Sequence, residues 1–227
     1  MEAKSIIMLP PHPESVINAI LGKSFIPTFI NMYDRMAFSG RSITPLYKSI
    51  MFFIDGGYIR PIFKNLFNTD DINFPEFVKY ISVKVSSPYF KVMLQRVYYY
   101  DANVQLEVDQ SKHKELNQYF EKIRKYDYHE VKLGRLIKTN DGYRQKGVDV
   151  LIAIDMILKA YESHYDIAVL VAGDDDFEDV VKTVKNSTGK QVYGAYYPKN
   201  TSMELIESFD KRIILDETTL KQFTNLD

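Results

Sequence analysis

Apolar positions along this chain fall into two alternating patterns. Ile50-Met51-Phe52-Phe53-Ile54 is an unbroken apolar run ending at Asp55, and Ile167 to Ala172 is a second, ending at Gly173. Each is short, rich in β-branched or aromatic residues, and reads as a strand buried on both faces. Lys91 to Tyr100, with its Val and Tyr residues, and Gln191 to Tyr197, closed by Pro198, read as further strands. Between them the spacing turns helical: Gly57 to Leu66, Pro75 to Val85, and a helix through Lys125 capped by Ser111, with Leu116, Tyr119, Phe120 and Ile123 on one side. Glu130 to Lys138 and Gly142 to Gln145 read as a hairpin turning at Asn140-Asp141-Gly142. Gly147 to Tyr161 is apolar nearly all round, which predicts a buried helix. After Gly173, Phe177, Val180, Val181 and Val184 form one helical stripe. Ser202 to Phe209, Arg212 to Leu215 and Thr218 to Phe223 read as a short helix, strand and helix.

Strands alternating with helices predict an α/β fold, a three-layer sandwich around a central, mainly parallel sheet. Right-handed crossovers place the strand carboxyl ends on one edge. Residues 1–49 differ. They hold Pro10, Pro11, Pro13, Pro27 and Pro45, show no clear strand, and suggest helices at Glu14–Leu21 and Thr28–Phe38. We read them as an N-terminal helical extension packed on the main domain, residues 50–227; a substrate-gripping or dimerising arm, giving a homodimer, is the alternative.

Composition narrows the chemistry. The 227 residues contain no cysteine, which removes disulfides, cysteine-zinc sites and thiol catalysis. The formal net charge of -1 supplies no global attraction for a polyanion, so any nucleic-acid contact needs a local basic patch. No apolar run approaches the ~20 residues that span a bilayer. No membrane association and a cytoplasmic location are the expectations.

The candidate chemistry lies at strand ends. Asp55 precedes Gly56-Gly57, where the backbone can turn sharply, and Asp174-Asp175-Asp176 stand where the strand into Gly173 gives way to a helix. Ligands of open α/β sheets bind at that edge. Turn bonding explains Asp55, and helix capping or dipole complementarity explains one or two of the others. A third consecutive acid, followed by Glu178 and Asp179, points to a counter-cation. Carboxylates without a histidine cluster suit Mg²⁺ or Mn²⁺ and phosphodiester chemistry. The four histidines, His12, His113, His129 and His164, have no metal-binding spacing. Asp149 opens the Gly147–Tyr161 helix, where capping is an equal reading. Asp155 lies mid-helix among apolar residues; it pairs with Lys159 or steadies a metal-bound group.

Phe53-Ile54-Asp55-Gly56-Gly57-Tyr58, then Lys146-Gly147-Val148-Asp149 with Asp155 after it, then Gly173-Asp174-Asp175-Asp176-Phe177 resemble, in that order, the NYN domain, including its LabA-like group, of the PIN-like nuclease superfamily. The resemblance covers roughly residues 50–216. It implies metal-dependent RNA cleavage by water activated with Mg²⁺ or Mn²⁺, leaving a 5′-phosphate and a 3′-hydroxyl. By position, Asp55, Asp149, Asp174 and Asp176 match the family's metal-site and catalytic acids, with Asp176 holding a second ion or orienting the water. Asp175 matches a variable position and is expected to point elsewhere. An Asn often follows the family's first Asp; here Tyr58 and Ile59 occupy that stretch.

Arg60, Arg144, Lys146 and Lys199, with Arg135 and Lys138, read as a phosphate-tracking rim for RNA, single-stranded or structured, or as solvated surface charge. Tyr196 and Tyr197 read as base-stacking or as packed strand residues. A non-catalytic RNA- or protein-binding module is the competing function. A haloacid-dehalogenase-type phosphatase needs a second Asp where Gly57 stands, and a receiver-like domain leaves the Lys146–Asp149 motif without a place.

Overall fold

A computed structural model describes residues 46–139 and 142–225. The helices expected within residues 1–45, and the first two residues of the expected hairpin turn, Asn140 and Asp141, lie outside the described residues.

The elements are β1 (Leu46–Asp55), α1 (Gly56–Phe67), α2 (Phe74–Val85), β2 (Phe90–Val104), α3 (Gln110–Arg124), β3 (His129–Thr139), β4 (Gly142–Lys146), α4 (Val148–Tyr161), β5 (Ile167–Val171), α5 (Phe177–Thr188), β6 (Gln191–Tyr196), a 3₁₀ turn (Pro198–Asn200), α6 (Met203–Ser208), β7 (Lys211–Ile214) and α7 (Glu217–Lys221). The seven strands form one sheet in the order β4-β3-β2-β1-β5-β6-β7. Every neighbouring pair is parallel except β3 and β4, the antiparallel hairpin.

Alternation along β1 divides the core into two. Ile50, Phe52 and Ile54 pack with α1, α2, α3 and α7. Met51 and Phe53 pack with α4, α5 and α6. Side chains pointing to opposite faces of a strand, each face covered by helices, are what make its sequence continuously apolar.

Chain order decides where the site lies. From β1 the chain builds outward through β2 and β3, then crosses back to place β5 on the other side of β1. Neighbouring strands whose connections leave in opposite directions open a crevice at their carboxyl ends. Here that crevice lies between β1 and β5, with Ile54 in register with Val171.

Two expectations need correction. α3 is capped by Asp109, whose carboxylate accepts from the Lys112 N–H at 2.9 Å, and not by Ser111, which lies inside the first turn. α4 is not buried all round: Val148, Ile152, Met156 and Ala160 face the core, whereas Val150, Ile154, Leu158 and Tyr161 are 49–60 % exposed. One layer of helix over a sheet can bury only one stripe of it. Among the described residues, no helix is long and apolar enough to cross a membrane.

Candidate functional site

Asp55 closes β1 and caps α1. Its Oδ1 accepts from the Gly57 N–H at 2.8 Å and the Tyr58 N–H at 3.3 Å. The residue is 8 % exposed. Burial, then the charge of Asp149, raise its carboxyl; the two backbone bonds oppose this, Asp101 adds to it, and the pKa is pushed up to about 7. Both glycines that follow lie close to other side chains, Gly56 to buried ones. A Cβ on Gly56 would sit 2.6 Å from Asp101 Oδ2, and one on Gly57 would sit 2.5 Å from Gln145 Oε1.

Across the crevice, Gly173 passes so close to Tyr58 that a Cβ there would overlap both the tyrosine ring and the Asn200 carbonyl. The Tyr58 hydroxyl accepts from the Tyr197 N–H at 2.8 Å and lies 2.8 Å from Thr201 Oγ1. The Ser202 N–H donates to the Gly173 carbonyl at 3.0 Å. Tyr58 thus fastens α1 to the loops after β5 and β6.

That loop presents Asp174, Asp175 and Asp176. All three are exposed, and one carboxylate oxygen from each lies within 4.8 Å of the others. Local turn bonding accounts for one of them only. Asp176 stands at the cap of α5 without a side-chain cap bond, and Asp174 Oδ1 accepts only the Asp176 N–H, at 3.1 Å. None of the three is ion-paired with a described residue. Asp175, expected to point elsewhere, belongs to this group. Asp149 lies in the first turn of α4, behind the cap residue Gly147; its carboxyl is raised by burial, then by Asp174 and Asp176. Asp149 therefore links Asp55 electrostatically to the exposed acids, while Asp55 and Asp149 stand outside the three-carboxylate group. Its donors are hard oxygens with no nitrogen or sulfur among them, a set that fits Mg²⁺ or Mn²⁺.

Other expected site residues have different surroundings. Asp155 accepts from the Tyr100 hydroxyl at 2.7 Å and from Lys132 Nζ at 2.5 Å, with Lys159 Nζ 3.5 Å away. Burial opposes its ionisation, but these bonds and charges outweigh it and hold the carboxyl below its ordinary value. Its hydrogen bonds tie α4 to the sheet, and none runs to the acidic group. Arg60 is held by Asp70 at 2.7 Å and Asp101 at 3.1 Å and lies over the Tyr119 ring, so its charge is balanced inside the protein. Lys199 pairs with Glu217 at 2.9 Å. Tyr196 and Tyr197 are buried, and Tyr197 donates to Glu217, so both serve as packing residues. Arg135, Lys138, Arg144 and Lys146 are exposed along the β3–β4 hairpin with no ion pair to a described residue.

Sequence reasoning missed Asp101. It is 3 % exposed and accepts from Arg60, from the Tyr99 hydroxyl at 3.0 Å, from Gln145 Nε2 at 3.0 Å and from the Ala102 N–H at 2.7 Å. The signal was present: Asp101 follows the apolar stretch Val97–Tyr100 as Asp55 follows its own, and Tyr100 is in register with Asp55. Through Gln145 it latches the hairpin over the Gly56-Gly57 turn.

A search of curated proteins found no match. Among solved structures, a protein of unknown function from Vibrio parahaemolyticus, VPA0982, aligns with a TM-score of 0.55 at 22 % identity, over 74 % of this chain and 93 % of that one. At that identity the likeness concerns the fold. The profile of the NYN domain family, a PIN-like nuclease family composed generally of ribonucleases that depend on divalent metals, matches residues 49–216, and the chain belongs to that family.

Proposed function

We propose that this protein is a ribonuclease that hydrolyses RNA phosphodiester bonds with Mg²⁺ or Mn²⁺. The observation that carries the reading is the run of acids from Asp55 through Asp149 to Asp174 and Asp176, in which each raised carboxyl is raised in part by another acid. Among the described residues no cation is paired with Asp149 or with the Asp174–Asp176 group. Repulsion of this kind is relieved by a divalent cation.

Asp174 and Asp176, with Asp149 and Asp55 behind them, would hold the ion, directly or through water. Bound there, it would lower the pKa of a water and stabilise negative charge on the phosphoryl oxygens. The protein's own groups do the rest. Tyr58 and Gly173 fix the loop that carries the acids. Asp176 orients the attacking water. Arg144 and Lys146, on the hairpin leading into α4, hold the flanking phosphates of the RNA. In-line attack leaves a 5′-phosphate and a 3′-hydroxyl.

One observation favours a second reading, an RNA-binding module without catalysis. Tyr58 stands in the stretch that often holds a polar Asn, and its hydroxyl is already engaged by Tyr197 and Thr201. A single assay separates the two. Labelled single-stranded and hairpin RNA are incubated with the protein and Mn²⁺ or EDTA. Mn²⁺-dependent cutting supports the nuclease; cutting that survives EDTA refutes it. Binding without cutting establishes the module.

A further inference from the structure

On the far side of the Gly56-Gly57 turn from the acidic loop lies a cleft of about 630 Å³, walled by α1, α3 and β4. Volumes of this order suit small organic ligands. We propose that this cleft is a nucleobase subsite, holding one unpaired base of the RNA next to the cleaved bond; the proposal rests on the ribonuclease reading and names the part of the substrate that sits behind Asp55.

The charge balance of the cleft selects for a neutral group. Arg60, its deepest cation, is held by Asp70 and Asp101. Three of its five N–H groups are spent on these two carboxylates, and the lining sets Arg60, Lys64 and Lys112 against Asp70, Asp101 and Glu115, so the cleft carries no net charge. Beside these charges it offers a neutral hydrogen-bonding edge. Gln145 Nε2 gives one hydrogen to Asp101 Oδ1 at 3.0 Å. Its carbonyl oxygen and second amide hydrogen have no partner among the described residues. The bond to Asp101 and the backbone of Gly57 hold this amide in place.

An amide with a free acceptor and a free donor hydrogen can pair with the edge of a base, as Gln and Asn do elsewhere. Asn65, exposed on α1, adds a second amide to the lining. Tyr143 supplies a fixed aromatic wall: its hydroxyl donates to Asp109 at 2.7 Å and Lys112 Nζ lies 4.2 Å from its ring centre. Lys64 and Lys112 also line the cleft and form no ion pair with a described residue, so the ribose phosphate on the side away from the cleaved bond has partners there.

The position joins this cleft to the reaction. Gly56 and Gly57 line it and directly follow Asp55, so a base in the cleft places its own backbone phosphate beside the acidic edge. Asp101, which touches no substrate here, is a positioning residue: it holds the Gln145 amide through its Oδ1.

The test uses the full chain in EDTA, so that binding is read without cleavage. The four ribonucleoside 5′-monophosphates and ribose 5-phosphate are titrated while the Gly56, Gly57 and Gln145 side-chain amide signals are followed by NMR. At least one nucleotide should shift all three signals, and ribose 5-phosphate should leave the Gln145 amide unmoved. Asn65→Ala and Gln145→Ala should each weaken that nucleotide about tenfold, and Asp174→Asn should not. Asn65 is exposed, so its variant stays informative should Gln145→Ala disturb the hairpin. Equal shifts from ribose 5-phosphate, or nucleotide shifts confined to other residues, would overturn the subsite. Nucleotide binding here in a protein that cuts no RNA would keep the subsite and defeat the nuclease. Cutting with unchanged base preference in both amide variants would do the reverse.

Discussion

Asp155 and Asp174 are the same side chain in opposite surroundings. Asp155 sits against the sheet with Lys132, Lys159 and Tyr100 around its carboxylate, and its ionised form is favoured. Asp174 is exposed beside Asp175 and Asp176, and its charge reaches Asp149 to raise that carboxyl. In the first region charge is neutralised within the fold, so it serves cohesion. In the second it accumulates, which costs stability and is useful only toward something outside the protein. The lesson is that pairing, and not the presence of carboxylates, separates a structural acid from a chemical one.

The sharpest way to break this contrast is Asp174→Asn. Metal-dependent cutting should fall by about a thousandfold or more, roughly 4 kcal/mol of transition-state stabilisation. Unfolding should shift by only about 0.5 kcal/mol, since an exposed, unpaired side chain is changed. Kinetics with labelled RNA, beside a denaturant melt, reads both; full activity would remove Asp174 from the site.

Asp55→Asn should come next in size, and it should raise stability at high pH. A carboxyl raised in the fold supports folding below its unfolded pKa and loses that contribution as pH climbs toward about 7. In EDTA at pH 8 the Asn variant should therefore be more stable than the parent, by at most about 4 kcal/mol for a shift of roughly three pKa units. The gain should vanish below about pH 4. Asn keeps an oxygen to cap α1, so the comparison isolates the charge. A variant less stable at pH 8 would show that the carboxylate is neutralised after all.

Asp155→Ala should cost about 2–3 kcal/mol, because it strands two lysines beside Tyr98. The lowered carboxyl of Asp155 contributes above its unfolded pKa, and that contribution is lost as pH falls through the folded value. The gap between parent and variant should therefore close below about pH 4. Cutting per folded molecule should stay unchanged. Thermal melts at several pH values, with activity normalised to folded protein, check this.

The smallest effect concerns the basic residues. Removing Arg144 and Lys146 together should lower the slope of log affinity against log salt for single-stranded RNA by about 1 to 1.5. Lys199→Ala should leave it nearly unchanged, since that cation is paired with Glu217. Equal slopes in both variants would dissolve the distinction between a paired and an unpaired rim.

Much of this was legible before any coordinates. The apolar runs ending at Asp55 and Gly173 marked buried strands, because only a strand covered on both faces has no polar alternate position. The acid-rich strand ends were legible as well, since a polar residue closing an apolar run has to lie at an edge. Helix faces were less so. α4 reads as apolar all round, yet exposes Val150, Ile154, Leu158 and Tyr161, because periodicity counts apolar residues and does not say how many neighbours arrive to cover them. The basic residues were the least legible. Arg60 and Arg144 look alike in sequence, and only Asp70 and Asp101, folded against the first, tell them apart.

The amino-acid order alone determined the alternation of strands and helices, the two glycine-flanked acidic turns, and the absence of any cysteine chemistry, for each depends on neighbours a few residues apart. The tertiary structure alone decided that β5 lies beside β1, that Asp149 couples the two acidic turns, and that Asp101 joins Arg60 and Gln145 behind them. Those are meetings of residues tens of positions apart, and whether a charge is relieved or left standing depends on which partners the crossovers bring within a few ångströms of it.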